Sequence, residues 1–303
     1  MSAHANPERP ILLIGAAGQV GAALAPRLAA LGSVVCAVRA DADLESPDDL
    51  RALVRRVQPR LIVNAAAYTA VDHAERDAER CRRVNADAPG ALAEAAARLG
   101  APLVHFSSNY VFDGRASESY REDDPTAPLN VYGATKAQGE RAIAATHAAH
   151  LIFRTAGVYG WTGRNFMLRI LDLAREREEL AVVNDQLVAP TTSALVADAA
   201  VVAVSRVLMP DRDEGLFGTY HLTSAGATTW FEFAERILVL EQLRSSQRSA
   251  RIRAVNSDEF PAAARRPRNG LLNTDKLANR FGVALPDWET ELRRTFAKHA
   301  NRS

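Results

Sequence analysis

A tyrosine and a lysine four residues apart give this sequence its clearest candidates for acid–base chemistry. Tyr132 and Lys136 stand in a run of helix-forming residues, and side chains four apart lie on one face of a helix. An ammonium group near a phenol favours the phenolate and lowers the phenol pKa from its usual value of about 10. Tyr132 is therefore a candidate proton donor or acceptor near neutral pH, although the same spacing also occurs on solvated helix faces.

A pair of hydroxyl groups follows an apolar run at residues 102–106, which predicts a buried strand. Ser107 and Ser108 stand at its carboxyl end, the place where open parallel sheets bind ligands. A serine there is able to donate a hydrogen bond to a substrate carbonyl and hold it beside Tyr132. Either serine could instead cap the local turn, and the partnership with Tyr132 and Lys136 favours the catalytic interpretation.

A glycine-rich turn near the start of the chain indicates a phosphate-binding site. Residues 10–14 form a continuous apolar run typical of a buried parallel strand, and Gly15, Gly18 and Gly21 follow it. Glycines let the backbone approach a ligand closely, and the following helix presents free N–H groups to a pyrophosphate. The spacing differs from the ordinary Gly-x-Gly-x-x-Gly, but its strand–turn–helix context favours a dinucleotide site over a turn without a ligand.

The second predicted strand, residues 33–38, bears on the choice of cofactor. An NAD enzyme often has an acidic residue at this strand end, whereas this chain has Arg39, with Asp41 and Asp43 just beyond. An arginine there is able to pair with the 2′-phosphate of NADP. A solvated strand-end arginine is the alternative, so the sequence favours NADPH and leaves NADH open.

Small residues follow the third predicted strand at residues 61–63. Ala65, Ala66 and Ala67 would let a cofactor approach the backbone, or would simply pack against a helix. Strands and helices alternate through this half of the chain, and residues 47–57 and the alanine-rich run at residues 78–99 each predict one helix. The alternation predicts an α/β fold with a doubly wound parallel Rossmann sheet.

The alternation weakens from residue 165, which predicts a smaller C-terminal α/β substrate domain interleaved with the first. We assign residues 9–163 to dinucleotide binding and residues 164–303 mainly to substrate binding, with segments near 185–222 returning to the first domain. An arginine of the basic run at residues 265–268 would suit a nucleotide diphosphate, although a surface basic loop is the alternative. The arginines between residues 242 and 253 predict a solvated loop without the aromatic residues that nucleic-acid binding requires.

Composition narrows the class of protein. The chain has 303 residues, a net charge of +1, 48% hydrophobic residues and 24% charged residues, as expected of an ordinary globular protein. The charge gives no general attraction to nucleic acid or membranes, and no membrane-spanning run is apparent. Two cysteines form no disulfide framework, so we expect a cytoplasmic protein. No metal site is predicted.

Together these motifs resemble the extended short-chain dehydrogenase/reductase family and, within it, the dTDP-4-dehydrorhamnose reductases. The similarity extends from about residue 11 to residue 288. Its most specific segments are residues 18–21, 64–72, 74–75, 110–114, 128–133, 153–155, 184–186, 189–191 and 266–267.

The resemblance implies a set of roles for this chain. Ser108, Tyr132 and Lys136 would be the catalytic residues that reduce the C4 ketone of a dTDP-4-keto-6-deoxy sugar with NADPH. The substrate side would include Thr69, Val71, Asn109, Tyr110 and Arg266. The cofactor side would include Gly15, Gly18, Gln19, Val20, Gly21, Arg39, Asp43, Ala65, Ala66 and Ala67, together with Tyr132 and Lys136.

Two positions depart from the family pattern. Asn109 stands where the family usually has an acidic residue, and Gly157 stands where it usually has a tryptophan that packs near the sugar. We therefore expect altered discrimination at the sugar, with Tyr159 or Trp161 as candidates to fill the space left by the indole.

Two other functions remain open at this stage. One is a nucleotide-sugar epimerase or dehydratase that retains NAD. The other is a cofactor-binding regulatory subunit without catalysis, which the intact Ser108, Tyr132 and Lys136 argue against. A homodimer is the candidate assembly.

Overall fold

The computed structural model describes residues 8–244 and 250–300. The strands are β1 (Ile11–Ile14), β2 (Val34–Ala37), β3 (Leu61–Asn64), β4 (Leu103–Ser108), β5 (His150–Thr155), β6 (Val158–Tyr159), β7 (Glu179–Val183), β8 (Leu187–Val188), β9 (Thr191–Thr192), β10 (Gly218–His221), β11 (Thr228–Thr229) and β12 (Arg251–Val255). The helices are α1 (Gln19–Leu28), α2 (Pro47–Val57), α3 (Val71–Ala74), α4 (Ala78–Arg82), α5 (Ala88–Leu99), α6 (Val131–Thr146), α7 (Phe166–Glu176), α8 (Ser193–Val207), α9 (Trp230–Gln242), α10 (Asp275–Phe281) and α11 (Trp288–Ala300).

A parallel six-stranded sheet in the order β2-β1-β3-β4-β5-β10 forms the centre of the protein. The chain leaves β1 for β2 on one side and returns to β3 on the other side. The direction in which successive strands are added to the sheet therefore reverses between β1 and β3. Ligands of open α/β sheets bind outside the carboxyl ends of the strands at such a point. The predicted doubly wound α/β fold is confirmed.

Both faces of this sheet are covered by helices, and the central strand β1 is apolar and buried at every position. Ile11 and Leu13 pack into one core with residues of α1 and α8, while Leu12 and Ile14 pack into a second core with residues of α2 and α5. Alternate side chains of a strand point to opposite faces, so one short strand contributes to both cores. Burying each of these side chains contributes about 1.5–3 kcal/mol.

The second half of the chain divides between this sheet and a separate core. β10 is the last strand of the large sheet, and α8 packs on it through residues such as Val196 and Val204. A third core instead joins residues of α7, β7, α9 and α11 around Phe233 and Leu292. The domain limits inferred from the sequence stay a prediction.

Local structure differs from the sequence-based expectations in two places. Residues 78–99, expected to form one helix, are interrupted by a π-helical turn at Arg83–Asp87. Residues 242–253, expected to be a solvated loop, include the start of β12, where Arg251 and Arg253 pair in register with β7. The expectation for Arg248 lies outside the described residues.

Among residues 8–244 and 250–300, no helix is long and apolar enough to cross a membrane.

Candidate active site

The start of α6 brings Tyr132 against the carboxyl end of β4. Asn130 caps the helix by accepting a hydrogen bond from the Gly133 N–H at 2.8 Å. A Cβ on Gly133 would overlap the carbonyl of Tyr110, so only glycine allows α6 to approach this closely. The rings of Tyr110 and Tyr132 consequently meet edge to face, with centroids 5.9 Å apart.

Tyr132 and Ser108 interact directly in a buried setting. Burial raises the pKa of Tyr132 to about 12, and a hydrogen bond with Ser108 opposes that rise. The Ser108 hydroxyl accepts from the Tyr110 N–H at 3.2 Å and donates to Asn109 Oδ1 at 3.3 Å. The structure therefore brings the Ser108 and Tyr132 hydroxyl groups together, with the phenol in its protonated form.

Lys136 lies on the same face of α6 but is directed towards β4. Its Nζ donates to the carbonyl of Phe106 at 2.6 Å and lies 3.0 Å from His105 Nε2. Burial lowers the pKa of Lys136 to about 8. The expectation that Lys136 lowers the pKa of Tyr132 is thus wrong for this structure, because burial dominates at both groups.

The glycine turn has the shape expected of a dinucleotide site. Gly15 has φ +81°, and a Cβ there would lie 2.7 Å from the backbone nitrogen of Ala66, so the loops after β1 and β3 touch. A Cβ on Gly21 would overlap the Gly15 carbonyl. Helix α1 begins after Gly18 with no side-chain cap, which leaves its N–H groups available to an anion. These residues fit a pyrophosphate.

Other predicted cofactor residues lie around this turn. Val20 packs against the sheet core. The Gln19 side chain donates to the Arg164 carbonyl at 3.1 Å and accepts from Asn165 Nδ2 at 3.0 Å. Gln19 thus joins the start of α1 to the loop before α7, while Ala65 and Ala67 are half-buried beside the turn.

Arg39 is two-thirds exposed beyond β2 and lies among acidic side chains. Its guanidinium is 3.3 Å from Glu45 and 3.7 Å from Asp43. Glu45 also binds Arg80 at 2.8 Å and Arg83 at 3.0 Å, so it keeps two partners if Arg39 moves. Asp43 accepts from the Glu45 N–H at 3.1 Å. Arg39 is therefore free to reorient towards an anion.

The loop after β3 is held by an asparagine in the π-helical turn. Asn85 Oδ1 accepts from the Tyr68 N–H at 2.9 Å, and its Nδ2 donates to the Tyr68 carbonyl at 3.0 Å. This clamp presents Thr69 as an exposed residue, while Val71 packs in a small cluster with Tyr110 and Tyr132. The loop therefore lies beside the catalytic candidates.

Asn109 is buried, and its amide is already engaged. Nδ2 donates to the Gly270 carbonyl at 3.0 Å, and Oδ1 accepts from Ser108. Asn109 thus connects the end of β4 to the C-terminal segment. An aspartate here would have no proton to donate to the Gly270 carbonyl.

A tryptophan does approach Gly157, but it comes from a different element. Gly157 has φ +53°, and a Cβ on it would lie 3.3 Å from the Trp230 indole and 3.2 Å from Val188. Tyr159 is fully buried, and Trp161 stacks on His299 with ring centroids 3.9 Å apart. The expectation that Tyr159 or Trp161 fills this space is therefore wrong, because Trp230 at the start of α9 occupies it.

Arg266 forms an ion pair with the substrate-side loop. Its two terminal nitrogens contact the two carboxylate oxygens of Asp72 at 3.1 and 2.6 Å, and the pKa of Asp72 is lowered chiefly by this bond. Arg266 and Tyr110 also line a cavity of about 810 Å³, which is large enough for a nucleotide sugar. Its other basic lining residues are Arg115, Arg169, Arg177, Arg265 and Arg268.

Three features of the site were not predicted from the sequence. They are the contact of His105 with Lys136, the place of Trp230 in the site, and the pairing of Asp72 with Arg266. His105 is a polar residue inside the otherwise apolar run at residues 102–106, which was a readable signal. No local pattern marks the other two. Asp72 and Arg266 are 194 positions apart, and Trp230 belongs to an apolar stripe whose helical spacing is typical of a core-facing helix.

Comparison with known proteins gives consistent results. The family described as RmlD substrate binding domain matches residues 9–301. The dTDP-4-dehydrorhamnose reductase of Burkholderia thailandensis is 45% identical over 283 residues, covering 92% of this chain and 95% of that protein. The Escherichia coli K12 protein of the same name is 43% identical, covering 94% and 96%. A crystal structure of a Bacillus anthracis dTDP-4-dehydrorhamnose reductase in complex with NADP matches with a TM-score of 0.86 at 32% identity, covering 96% of this chain and 99% of that chain.

Proposed function

The chain belongs to the RmlD substrate binding domain family, and we propose that it reduces the C4 ketone of dTDP-4-dehydro-L-rhamnose to give dTDP-L-rhamnose. It is an NADPH-dependent oxidoreductase of the dTDP-4-dehydrorhamnose reductase type, in the pathway that makes dTDP-rhamnose. The observation that carries the proposal is full-length similarity combined with Ser108, Tyr132 and Lys136 gathered at the carboxyl end of β4.

For the chemistry, we assign the proton donor to Tyr132. The reduced nicotinamide, when bound, supplies the hydride that reaches the ketone carbon. Tyr132 gives its phenolic proton to the oxygen that becomes the alcohol. Its raised pKa, about 12, keeps that proton in place until negative charge develops on the oxygen.

Ser108 is assigned to orient the ketone oxygen. Its O–H must turn from Asn109 to the substrate, and the 3.3 Å bond to Asn109 is long for a hydroxyl donor, so little is lost. Lys136 is assigned to the nicotinamide ribose, which requires it to leave the Phe106 carbonyl. Gly15, Gly18 and Gly21, with Gln19, Val20 and the three alanines after β3, are assigned to the remainder of the cofactor.

The nucleotide half of the substrate is assigned to the arginine-lined cavity beside Tyr110. A dTDP diphosphate carries negative charge that suits Arg265 or Arg268, which lie at the cavity wall. Arg266 is committed to Asp72, so we assign it to shaping the wall beside Thr69 and Val71. Asn109 is assigned to hold the Ser108 hydroxyl and the Gly270 carbonyl in place through its two hydrogen bonds.

The direct test supplies purified protein with dTDP-4-dehydrorhamnose and follows NADPH absorbance. We expect NADPH oxidation coupled to formation of dTDP-rhamnose, identified by chromatography against an authentic standard. Binding of NADPH without oxidation in the presence of this sugar would contradict the proposal.

A cytoplasmic location and a homodimer stay predictions. Both cysteines are free thiols in the structure.

A further inference from the structure

A buried chain of hydrogen bonds connects β3, β4 and α6 behind the proposed catalytic residues. Asn64, His105 and Lys136 are each 1% exposed. Asn64 Nδ2 lies 3.2 Å from His105 Nδ1, and His105 Nε2 lies 3.0 Å from Lys136 Nζ. With solvent excluded, each contact needs one donor and one acceptor.

The backbone determines which way this chain runs. Asn64 Oδ1 accepts from the Ala66 N–H at 3.1 Å, so the amide nitrogen is the group that faces His105. An amide nitrogen only donates, and therefore His105 Nδ1 must accept with its lone pair. A histidine that accepts at Nδ1 is uncharged and carries its proton on Nε2.

Lys136 is under the same constraint as His105. The Nε2–H of His105 points at Nζ, and an ammonium group offers only protons in return. An uncharged amine resolves the contact because its lone pair accepts from His105. Its own N–H still donates to the Phe106 carbonyl at 2.6 Å.

We propose that His105 is a positioning residue that holds Lys136 against β4 as an uncharged amine in the cofactor-free protein at alkaline pH, so that cofactor binding at that pH is accompanied by proton uptake at Lys136. The proposal rests on the proposed use of NADPH. One proton from solvent joins the Nζ lone pair, and the ammonium so formed leaves His105 to meet the cofactor. No other covalent bond is made or broken.

The charged and titratable groups around Lys136 allow this change. Burial lowers the pKa of Lys136 to about 8, while Glu140 on α6 and Cys81 on α4 oppose that shift. Glu140 is itself paired with Arg154 at 2.7 Å, so its charge is largely compensated. The pKa of His105 on β4 lies well below its ordinary value because of burial and the nearby lysine. Tyr132, one turn earlier on α6, stays protonated.

The first experiment reads the histidine tautomer directly, without cofactor. Long-range ¹⁵N–¹H spectra of histidine-labelled protein at about pH 9, roughly one unit above the Lys136 pKa, report which ring nitrogen carries the proton. His105→Gln identifies the signals by their loss. We expect the Nε2–H form at His105, and an Nδ1–H form would overturn the proposal.

The second experiment measures protons taken up on NADPH binding, by calorimetry in two buffers of different ionisation enthalpy. At about pH 9 we expect uptake approaching about one proton per cofactor, and far less at about pH 6.5. Asn64→Asp is the decisive variant because a carboxylate only accepts. It should force His105 into the Nδ1–H form, leave Lys136 charged and abolish the uptake while NADPH still binds.

The outcomes separate this proposal from the proposed function. Normal NADPH binding with no proton uptake, or with the same uptake in Asn64→Asp, would overturn the role of His105 and leave the reductase assignment standing. Failure of the wild-type protein to bind NADPH would contradict the proposed function, and the tautomer spectrum would still decide the state of Lys136.

Discussion

At Tyr132, burial has a larger effect on the pKa than the lysine one turn away. The phenol is 9% exposed and its pKa rises to about 12, whereas an exposed tyrosine near an ammonium would titrate below about 10. A high pKa suits a donor in the direction of reduction, since the proton leaves only when an alkoxide forms. The sequence showed the two residues on one helix face but not the depth at which that face is buried.

Replacement of Tyr132 by phenylalanine tests this role. Only the transferable proton and its hydrogen bond to Ser108 are lost, so kcat/KM should fall by about 10²–10⁴ while NADPH affinity changes little. Steady-state kinetics and fluorescence titration of NADPH give the two values. Turnover within about tenfold of the wild type would remove Tyr132 from the role of proton donor.

The lowered pKa of Lys136 leads us to expect a loss of activity at alkaline pH. Its pKa is lowered to about 8, so its positive charge is present below that pH and is lost as the pH rises through it. Since kcat/KM for NADPH reports groups of the free enzyme, it should be level below about pH 8 and decline by up to about tenfold per unit above it. Tyr132 should contribute no loss in this range. A profile that stays level to about pH 10 would contradict the assigned pKa.

We expect Arg39 to determine the preference for NADPH over NADH. Charge-assisted hydrogen bonds contribute about 1.5–3 kcal/mol, so Arg39→Ala should weaken NADPH by about tenfold or more and leave NADH almost unchanged. Arg39→Lys serves as the control, because it keeps the charge but loses the paired N–H geometry and should fall between the two. Equal losses for both cofactors would make Arg39 an ordinary surface residue.

Among the elements, those with a continuous local signal were predictable and those shaped by contacts were not. Residues 47–57 follow a serine cap at Ser46, begin with a proline and bury one apolar face. Helix α2 has those limits. The alanine-rich run at 78–99 carries no local mark of its π-helical turn. That turn lies where Gly139 of α6 packs directly onto the Asn85 carbonyl, a contact between elements.

The proposed wall of the sugar site is another product of element packing. Trp230 begins α9 and lies against Gly157, between β5 and β6, so a helix supplies the indole beside this glycine. Restoring a tryptophan at Gly157 would meet a left-handed φ of +53° and the existing indole. Gly157→Trp is therefore expected to destabilise the protein and is a poor test of sugar discrimination.

Trp230 offers the better test. Trp230→Ala removes the indole from the cavity wall and should raise KM for the dTDP-sugar and reduce discrimination against an epimer at one ring carbon. Trp230→Phe keeps an aromatic ring against Phe166 and should retain most of the discrimination. Unchanged kcat/KM ratios in both variants would show that the wall lies elsewhere.

Across the whole molecule, the site is assembled from segments that are distant in sequence. The fold class followed from the alternation of strands and helices, and the glycine turn, Ser108 and Tyr132 followed from their places in that fold. Contacts such as Asn109 with Gly270 and Asp72 with Arg266 join the two halves of the chain, and no local pattern encodes which partners meet. The proposed sugar side of the site was therefore less predictable than the proposed cofactor side.

The Asp72–Arg266 pair is the clearest such connection, and its energy is measurable. The two side chains are 48% and 23% exposed, so we expect a coupling of about 0.5–1 kcal/mol in a double-mutant cycle of Asp72→Asn and Arg266→Met by denaturant unfolding. Because Arg266 lowers the pKa of Asp72, this stability is present above the unfolded pKa of about 3.9 and is lost as the pH falls through the lower folded value.

The same variants indicate whether the pair shapes the substrate cavity as well as the fold. Arg266→Lys keeps a charge near Asp72 but loses the paired contacts, and should raise KM for the dTDP-sugar less than Arg266→Met does. Cofactor affinity should be unchanged in every member of the series, since neither residue is among those assigned to the cofactor. A coupling near zero at neutral pH, with KM unaltered in both arginine variants, would reduce Asp72–Arg266 to a surface ion pair and leave the position of the 69–72 loop to Asn85.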